Sequence, residues 1–190
     1  AFARLGLKTG CISAVGDDEN GRRILHLLKK EHVTFLGPMR KNNMSGYSVI
    51  LDSKDKDRTI LTFKGVNEDI KEKDIKTFKT RWLYYPSLTK TSFKTQKALA
   101  KKLAKHGTKV AFNPGSHHIK HENLTRMLQN TYFLILNKEE AQTLAKKYNK
   151  KKDLLLAIAD LGPQVVVITD KNNPVRCLYE GKEYNITPHK

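Results

Sequence analysis

The sequence of 190 residues predicts an α/β fold built on a mostly parallel sheet. Strand and helix patterns alternate from Trp82 onward, at the spacing typical of β-α-β crossover units. Some strand candidates, such as residues 165–168, are continuous apolar runs, as expected for strands buried on both faces. A hydrophobic content of 38% is enough for one sizeable core.

The first elements follow from local patterns. Apart from Lys8, the residues at 8–15 are small or β-branched, and the stretch predicts a buried strand. A polar stretch at 16–21 is followed by leucine and isoleucine at helical spacing over residues 24–28, and Lys29 and Lys30 suit the end of that helix. The short opening stretch before residue 8 has a helical pattern and lacks the layout of a secretory signal.

A hairpin interrupts the alternation. Residues 47–51 and 58–63 have strand character, and the polar residues between them predict a turn. We expect these strands to form a small accessory sheet.

The remaining elements alternate regularly. Strands are predicted at 82–85, 109–112, 132–136, 165–168, 175–178 and 184–187. Helices between them are indicated by apolar residues at helical spacing: Phe93, Leu99, Ala100 and Leu103; Leu124, Met127 and Leu128; Ala141, Leu144, Ala145 and Tyr148; and Leu154, Leu155, Ile158 and Leu161.

The charge balance bears on the partners of the protein. Thirty-six Lys and Arg residues against nineteen Asp and Glu residues give a net charge of +17, which attracts phosphate backbones. The lysines are spread over the whole length, and their densest run, residues 146–152, falls at a predicted helix end where lysine is solvated. No zinc-finger spacing or aromatic RNA-binding signature accompanies them, so nucleic acid is not the expected partner.

Other compositional features narrow the class of protein. No apolar run reaches the roughly 18 to 20 residues that span a bilayer, so we do not expect a membrane protein. Two cysteines, Cys11 and Cys177, suit a reducing compartment, and we expect the cytoplasm. The absence of a Gly-x-Ser-x-Gly elbow, a Walker A loop and a dinucleotide fingerprint argues against serine hydrolases, P-loop enzymes and typical dehydrogenases.

Ligands in an open parallel sheet bind beyond the carboxyl ends of the strands, which directs attention to the loops at 16–18, 113–116, 137–140 and 169–171. Their short polar side chains suit hydroxyls, phosphates and a magnesium ion. Helix capping is the alternative for Asp17 and Asp18, and Asn137 with Glu140 has the spacing of a capping box. His117, His118 and His121 could contribute to a zinc site, but we favour solvated histidines at a loop–helix boundary.

These features in order resemble the PfkB carbohydrate kinase family, which has the ribokinase-like fold. Gly6 and Gly16 keep the spacing of the first family signature. The other matching stretches are Ser45-Gly46 and the strand after it, Arg58-Thr59-Ile60, Gly65-Val66-Asn67, Phe112-Asn113-Pro114, Asn137-Lys138-Glu139-Glu140 and Val167-Ile168-Thr169-Asp170. The resemblance covers essentially all 190 residues in collinear order.

The resemblance implies a three-layer α/β/α sandwich with a small β lid, whose strands lie roughly within residues 39–64. It implies ATP-dependent phosphorylation of a hydroxyl group on a sugar or a related compound. Asn137 and Glu140 would organise Mg²⁺ through its waters, and Thr169 would face the nucleotide. The implied substrate-binding residues are Gly65, Asn67 and Asn113. A homodimer through the lid strands is a further implication.

The sequence also departs from the family pattern. The family's Gly-Gly-x-x-x-Asn would precede Ala1, and its Gly-Ala-Gly-Asp segment, which carries the catalytic base, would follow Lys190. We therefore expect residues 1–190 to be an incomplete kinase domain without the base, inactive by itself. Lys171 and Pro174 stand where relatives have a glycine-rich turn. The alternatives are a degenerate, non-catalytic binding or scaffold protein of the same fold, or a nucleoside kinase of the same family.

Overall fold

The computed structural model describes residues 1–52 and 58–188, which form two compact units. Unit 1 comprises Ala1–Phe78 and Thr89–Thr95, and unit 2 comprises Lys79–Leu88 and Gln96–Lys190. The predicted hairpin turn lies, apart from Asp52, outside the described residues. Within the described residues, no helix is both long enough and apolar enough to cross a membrane.

Unit 1 contains short strands and one long helix. Its elements are β1 (Thr9–Cys11), β2 (Val15–Gly16), α1 (Glu19–Lys30), β3 (Val33–Phe35), β4 (Met39–Arg40), β5 (Tyr47–Asp52) and β6 (Arg58–Phe63). Strand β1 pairs in parallel with β3, and β2 pairs in parallel with β4. Three short 3₁₀ helices, Ala3–Leu5, Gly65–Glu68 and Glu72–Asp74, complete the unit.

The prediction of one continuous strand over residues 8–15 is wrong, because β1 and β2 are separated by three non-strand residues. Gly37 approaches this gap so closely that a Cβ atom there would lie 1.7 Å from the Ser13 carbonyl oxygen. The Asn67 side chain takes the place of a strand partner here, since its Oδ1 accepts hydrogen bonds from Ala14 N at 2.9 Å and Ser13 Oγ at 2.8 Å. The strand is therefore interrupted by a contact from 54 residues away in sequence.

The predicted hairpin is confirmed by the antiparallel pairing of β5 with β6. All described residues of both strands are exposed. One face is apolar and carries Tyr47, Val49, Leu51, Leu61 and Phe63, each 45–56% exposed. The hairpin therefore presents an uncovered apolar face.

Unit 2 contains a six-stranded sheet with the strand order β12-β11-β10-β9-β8-β7. Its strands are β7 (Trp82–Tyr85), β8 (Lys109–Phe112), β9 (Phe133–Asn137), β10 (Val165–Asp170), β11 (Asn173–Tyr179) and β12 (Lys182–Ile186). Strands β7 to β10 are parallel, and β11 and β12 are antiparallel additions. The predicted mostly parallel sheet is confirmed.

The helices of the parallel part connect successive strands. They are α2 (Lys90–Ala104), which begins in unit 1 and ends in unit 2, α3 (Ser116–His121), α4 (Thr125–Gln129), α5 (Lys138–Lys147) and α6 (Leu154–Ala159). Helix α5 packs on β9 and β10, and α6 packs on β10 and β11. Sequence reasoning missed α3, β3 and β4, all of which are short.

The core of unit 2 lies on one face of the sheet. In β9 the side chains of Leu134 and Leu136 are completely buried, while Phe133 and Ile135, which point to the other face, are only partly covered. In β10, Val166 and Ile168 are buried on the same face and Val167 is partly covered, although Val165 at the start of the strand is buried as well. Since successive strand residues face opposite sides, the described helices cover the Leu134 side.

Candidate functional site

The carboxyl ends of β8, β9 and β10 bring together several of the predicted site residues in unit 2. Asn137 ends β9 and is the residue before α5, and it pairs in register with Thr169 on β10. Thr169 Oγ1 also reaches the Leu136 carbonyl oxygen at 3.4 Å. Asn137 and Thr169 are therefore neighbours at one sheet edge, as the rule for parallel sheets predicts.

Asn137 and Glu140 form a capping box at the start of α5. Asn137 Oδ1 accepts a hydrogen bond from Glu140 N at 2.8 Å, and Glu140 Oε2 accepts one from Asn137 N at 3.0 Å. The local sequence explains this arrangement, because a short amide at the N-cap and a glutamate three residues later satisfy two unpaired N–H groups. The capping alternative from the sequence is confirmed; a role in catalysis stays a prediction.

The polar side-chain atoms of Asn137 and Glu140 that are not used in the capping box are available to a ligand. Glu140 Oε1 and Asn137 Nδ2 make no hydrogen bond within the described residues. No group of three or more His, Cys, Asp or Glu residues in that part of the chain could hold a metal ion directly. One partly exposed carboxylate beside an amide suits Mg²⁺, which keeps several of its waters and takes few protein ligands.

Asn113 lies just beyond β8, at the same sheet edge. Its backbone N–H donates to the Tyr85 carbonyl oxygen at 3.0 Å, and its Nδ2 donates to the Ile135 carbonyl oxygen at 2.9 Å. Asn113 thus links the strands on either side of β8, which leaves its Oδ1 as the side-chain atom able to meet a ligand.

An ion pair at this edge was missed by the sequence reasoning. Lys138 Nζ lies 2.7 Å from Asp170 Oδ2, and Asn173 Nδ2 donates to the same carboxylate oxygen at 3.2 Å. The hydrogen bond from Lys138 lowers the pKa of Asp170. Both residues lie in loops that the sequence marks as candidates, but their separation of 32 residues gives no local signal of the pairing.

The turn after β10 contains the departure from the family pattern. Lys171 has a φ of 50°, in the left-handed region that glycine adopts without strain. Pro174 lies near the start of β11. The backbone therefore takes a glycine-like conformation here with a lysine side chain in place.

Two predicted site residues belong to unit 1. Gly65 has a φ of 54°, and a Cβ atom there would lie 2.5 Å from the Met44 carbonyl oxygen, so that only glycine fits. The Asn67 side chain holds Ser13 and Ala14 through its Oδ1, as described above. A structural role is thus evident for both residues, and their part in substrate binding stays a prediction.

A second polar cluster in unit 1 surrounds Asp18, the N-cap of α1. Its carboxylate accepts hydrogen bonds from Ser45 N at 2.8 Å, Ser45 Oγ at 2.7 Å and Gly21 N at 2.7 Å. Ser45 Oγ in turn accepts from Gly16 N at 2.9 Å. The hydrogen bond from Ser45 is the main reason that the pKa of Asp18 is lowered. The capping alternative for Asp18 is thereby confirmed.

The prediction that the three histidines are solvated is wrong for His118, which is completely buried on α3. Its Nδ1 is 2.8 Å from Ser87 Oγ, and its Nε2 makes a short contact with the Leu88 carbonyl oxygen. His117 and His121 are exposed, as expected. The loop after β7 satisfies both ring nitrogens of His118, and no sequence pattern indicates that long-range contact.

Comparison with known proteins identifies relatives over the whole chain. A model of the pfkB family carbohydrate kinases matches residues 1–190. An uncharacterized sugar kinase from Archaeoglobus fulgidus is 29% identical over 150 residues, an alignment that covers 75% of this chain and 59% of the relative.

Solved structures show the same fold. Adenosine kinase from Sinorhizobium meliloti superposes with a TM-score of 0.84 at 16% identity, covering 100% of this chain and 61% of that chain. Fructokinase from Xylella fastidiosa superposes with a TM-score of 0.81 at 12% identity, covering 100% of this chain and 63% of that chain. Ribokinase from Thermotoga maritima superposes with a TM-score of 0.77 at 16% identity, covering 95% of this chain and 60% of that chain. The ribokinase-like α/β fold is confirmed, and the chain spans about 60% of the length of these relatives.

Proposed function

The chain belongs to the pfkB family of carbohydrate kinases, and we propose that its full-length protein transfers a phosphoryl group from ATP to a hydroxyl group of a sugar or nucleoside. The observation that carries the proposal is the meeting of Asn137, Glu140 and Thr169 at one sheet edge of a chain that matches this family throughout. Carboxyl ends of parallel strands are where such folds bind their ligands.

Asn137 and Glu140 would hold a magnesium ion through its waters, and Thr169 would contact the nucleotide. When bound, the magnesium ion neutralises charge on the phosphates, which supplies much of the catalysis in phosphoryl transfer. The capping box keeps the Glu140 side chain oriented while its Oε1 stays available. The chain's own contribution is therefore positioning of the nucleotide phosphates.

In unit 2 the proposed substrate-binding residue is Asn113; in unit 1 the proposed substrate-binding residues are Gly65 and Asn67. The proposed substrates are small molecules with a hydroxyl group, in agreement with the sugar and nucleoside kinases among the structural neighbours.

We also propose that the lid strands pair with a second copy through the apolar face of the hairpin. The free thiols of Cys11 and Cys177 suit the proposed cytoplasmic location.

The test is a coupled assay of ADP release by the full-length protein over a panel of sugars and nucleosides. Glu140→Gln should lower kcat by about tenfold or more and raise the Mg²⁺ concentration needed for half-maximal rate. The capping box accepts glutamine, so this variant should remain folded. Glu139→Gln removes the neighbouring, exposed carboxylate and should change kcat less than twofold or so.

Three results would contradict the proposal: no turnover with any sugar or nucleoside, equal losses in the two variants, or turnover by residues 1–190 alone. We propose that the catalytic base is not among these residues, so this stretch by itself should release no ADP.

A degenerate binding protein of the same fold is the second candidate, favoured by Lys171 and Pro174 in the turn after β10. It predicts that the full-length protein binds ATP-Mg²⁺ weakly and does not turn over. Lys171→Gly should then restore nucleotide affinity without restoring activity.

A further inference from the structure

The run of lysines at the end of α5 lines an open pocket on the protein surface. The pocket has a volume of about 360 Å³. Its polar lining consists of Gln142, Lys146, Asn149, Lys150, Lys151 and Lys152. Four lysines and two residues with amide side chains thus line one depression.

The positive charge of this pocket is only partly neutralised. Lys150 and Lys152 lie 3.7 Å and 3.0 Å from the same oxygen of Asp160, so they share one carboxylate. Lys146 and Lys151 have no ion-pair partner in the part of the chain that the structure describes, and both are exposed. The nearby Asp153 carboxylate is engaged by Arg176 at 3.1 Å. Four lysines therefore face one available carboxylate.

Lys147, which also belongs to this run, has a structural role at the end of α3. Lys147 Nζ donates to the carbonyl oxygens of Ile119 and Glu122, each at 2.7 Å, so it is turned to α3 and is not part of the pocket lining. The terminal carbonyl groups of α5 itself are met by backbone N–H groups of Tyr148 and Lys150. Within the described residues, Lys146 and Lys151 consequently have no ion-pair partner that explains their position at the pocket.

The pocket lies apart from the candidate active site. Asn137 and Glu140 are at the first turn of α5, and Lys146 is in its last turn. A helix of ten residues is about 15 Å long. A ligand in the lysine pocket would therefore not be the nucleotide phosphates held at the first turn.

We propose that this pocket binds a small anion that carries several phosphate groups. Lysine ammonium groups bind phosphate as point charges, and amide side chains add hydrogen-bond donors. The pocket is open to solvent, and its volume of about 360 Å³ is large enough for a small molecule. No aromatic side chain lines the pocket, whereas proteins that bind single-stranded nucleic acid use aromatic platforms on which bases stack.

Inorganic tripolyphosphate is the probe, titrated calorimetrically into the full-length protein at low ionic strength. Lys146→Gln with Lys151→Gln removes the two unpaired ammonium groups and should weaken binding at this site about tenfold or more. Lys101→Gln with Lys105→Gln, two exposed lysines near the end of α2, removes the same charge elsewhere and should change the affinity about twofold at most.

A residue-specific readout separates this site from the candidate active site. Tripolyphosphate should protect Lys146 and Lys151 from acetylation, measured by mass spectrometry, and leave Lys101 and Lys105 reactive. Equal weakening in both double variants, or protection of all four lysines alike, would overturn the proposal in favour of unspecific charge attraction. Tighter binding of a single-stranded RNA of about 20 nucleotides than of tripolyphosphate, lost in the Lys146/Lys151 variant, would overturn it in favour of nucleic acid.

Discussion

Among the described residues, the hydroxyl group of Tyr85 has no hydrogen-bond partner although it is buried, in a side chain only 4% exposed. Burial also raises the pKa of this phenol. An unsatisfied buried polar group costs about 1–3 kcal/mol. Tyr85→Phe should therefore increase the free energy of unfolding by about 1 kcal/mol, measured by urea denaturation.

Tyr148→Phe is the matched comparison, because the Tyr148 hydroxyl accepts a hydrogen bond from Leu124 N at 3.0 Å. Its removal should decrease stability by about 1 kcal/mol. If both substitutions destabilise the protein equally, the Tyr85 hydroxyl has a partner, and the first prediction fails.

Asp18 supports a prediction about pH at the same scale. Its pKa is lowered by the hydrogen bonds from Ser45 and Gly21, so its stabilising effect is complete above the unfolded-state pKa of about 3.9. That effect is lost as the pH falls through the lower pKa of the folded state. Asp18→Asn should destabilise the protein at pH 7, and the difference from the wild type should shrink on acidification.

The measurement is urea denaturation of wild type and variant from neutral to acidic pH. Asp17→Asn is the control, because the Asp17 side chain makes no hydrogen bond in the described structure, and little change is expected. A difference for Asp18→Asn that stays constant with pH would show that the carboxylate charge is not the cause.

At the scale of elements, the start of α5 combines a structural and a proposed catalytic role in Asn137. Asn137→Ala removes the cap and should cost about 1 kcal/mol of stability, whereas Asn137→Asp keeps a capping oxygen and should cost little. Urea denaturation checks both. If Asn137→Ala leaves the free energy of unfolding unchanged, the capping box does not stabilise the helix.

The hairpin of β5 and β6 supports a prediction about assembly. Val49 and Leu61 are cross-strand partners on its apolar face, and Ile50 and Ile60 are partners on the opposite face. Threonine at Val49 and Leu61 keeps strand propensity but removes apolar area, so this double variant should dissociate the proposed dimer, as measured by analytical ultracentrifugation. The same change at Ile50 and Ile60 should leave the dimer intact.

A monomeric wild-type protein, or identical behaviour of the two hairpin variants, would contradict pairing through the apolar face. An uncovered apolar hairpin is otherwise prone to edge-to-edge association, which would appear as higher oligomers rather than as a dimer.

At the scale of the whole molecule, the net charge of +17 governs the response to salt. Repulsion among like charges destabilises the compact state, and salt screens it over a Debye length of about 10 Å at 0.1 M. The midpoint of thermal unfolding should therefore rise between about 20 mM and about 500 mM NaCl, measured by scanning calorimetry. A falling midpoint would show that attractive ion pairs, such as those of Arg176 with Asp153 and Glu183, outweigh the repulsion.

Patterns within a few residues predicted much of the fold. The strands Trp82–Tyr85 and Lys109–Phe112 have the predicted bounds, and the capping box of Asn137 and Glu140 is as its spacing indicated. The short strands Val33–Phe35 and Met39–Arg40 were missed, because two or three residues are too few to show an alternation of apolar and polar side chains.

By itself, the sequence determined the α/β class, most elements and the local caps, because each depends on side chains only a few positions apart. Only the tertiary structure decided the interruption of the first strand by Gly37 and Asn67, the burial of His118 and the pairing of Lys138 with Asp170. The sequence could not reveal these contacts, because they depend on which distant backbones approach each other when the strands pair. For the lysines at the end of α5, the charge is evident in the sequence, whereas their position around one pocket depends on the tertiary structure.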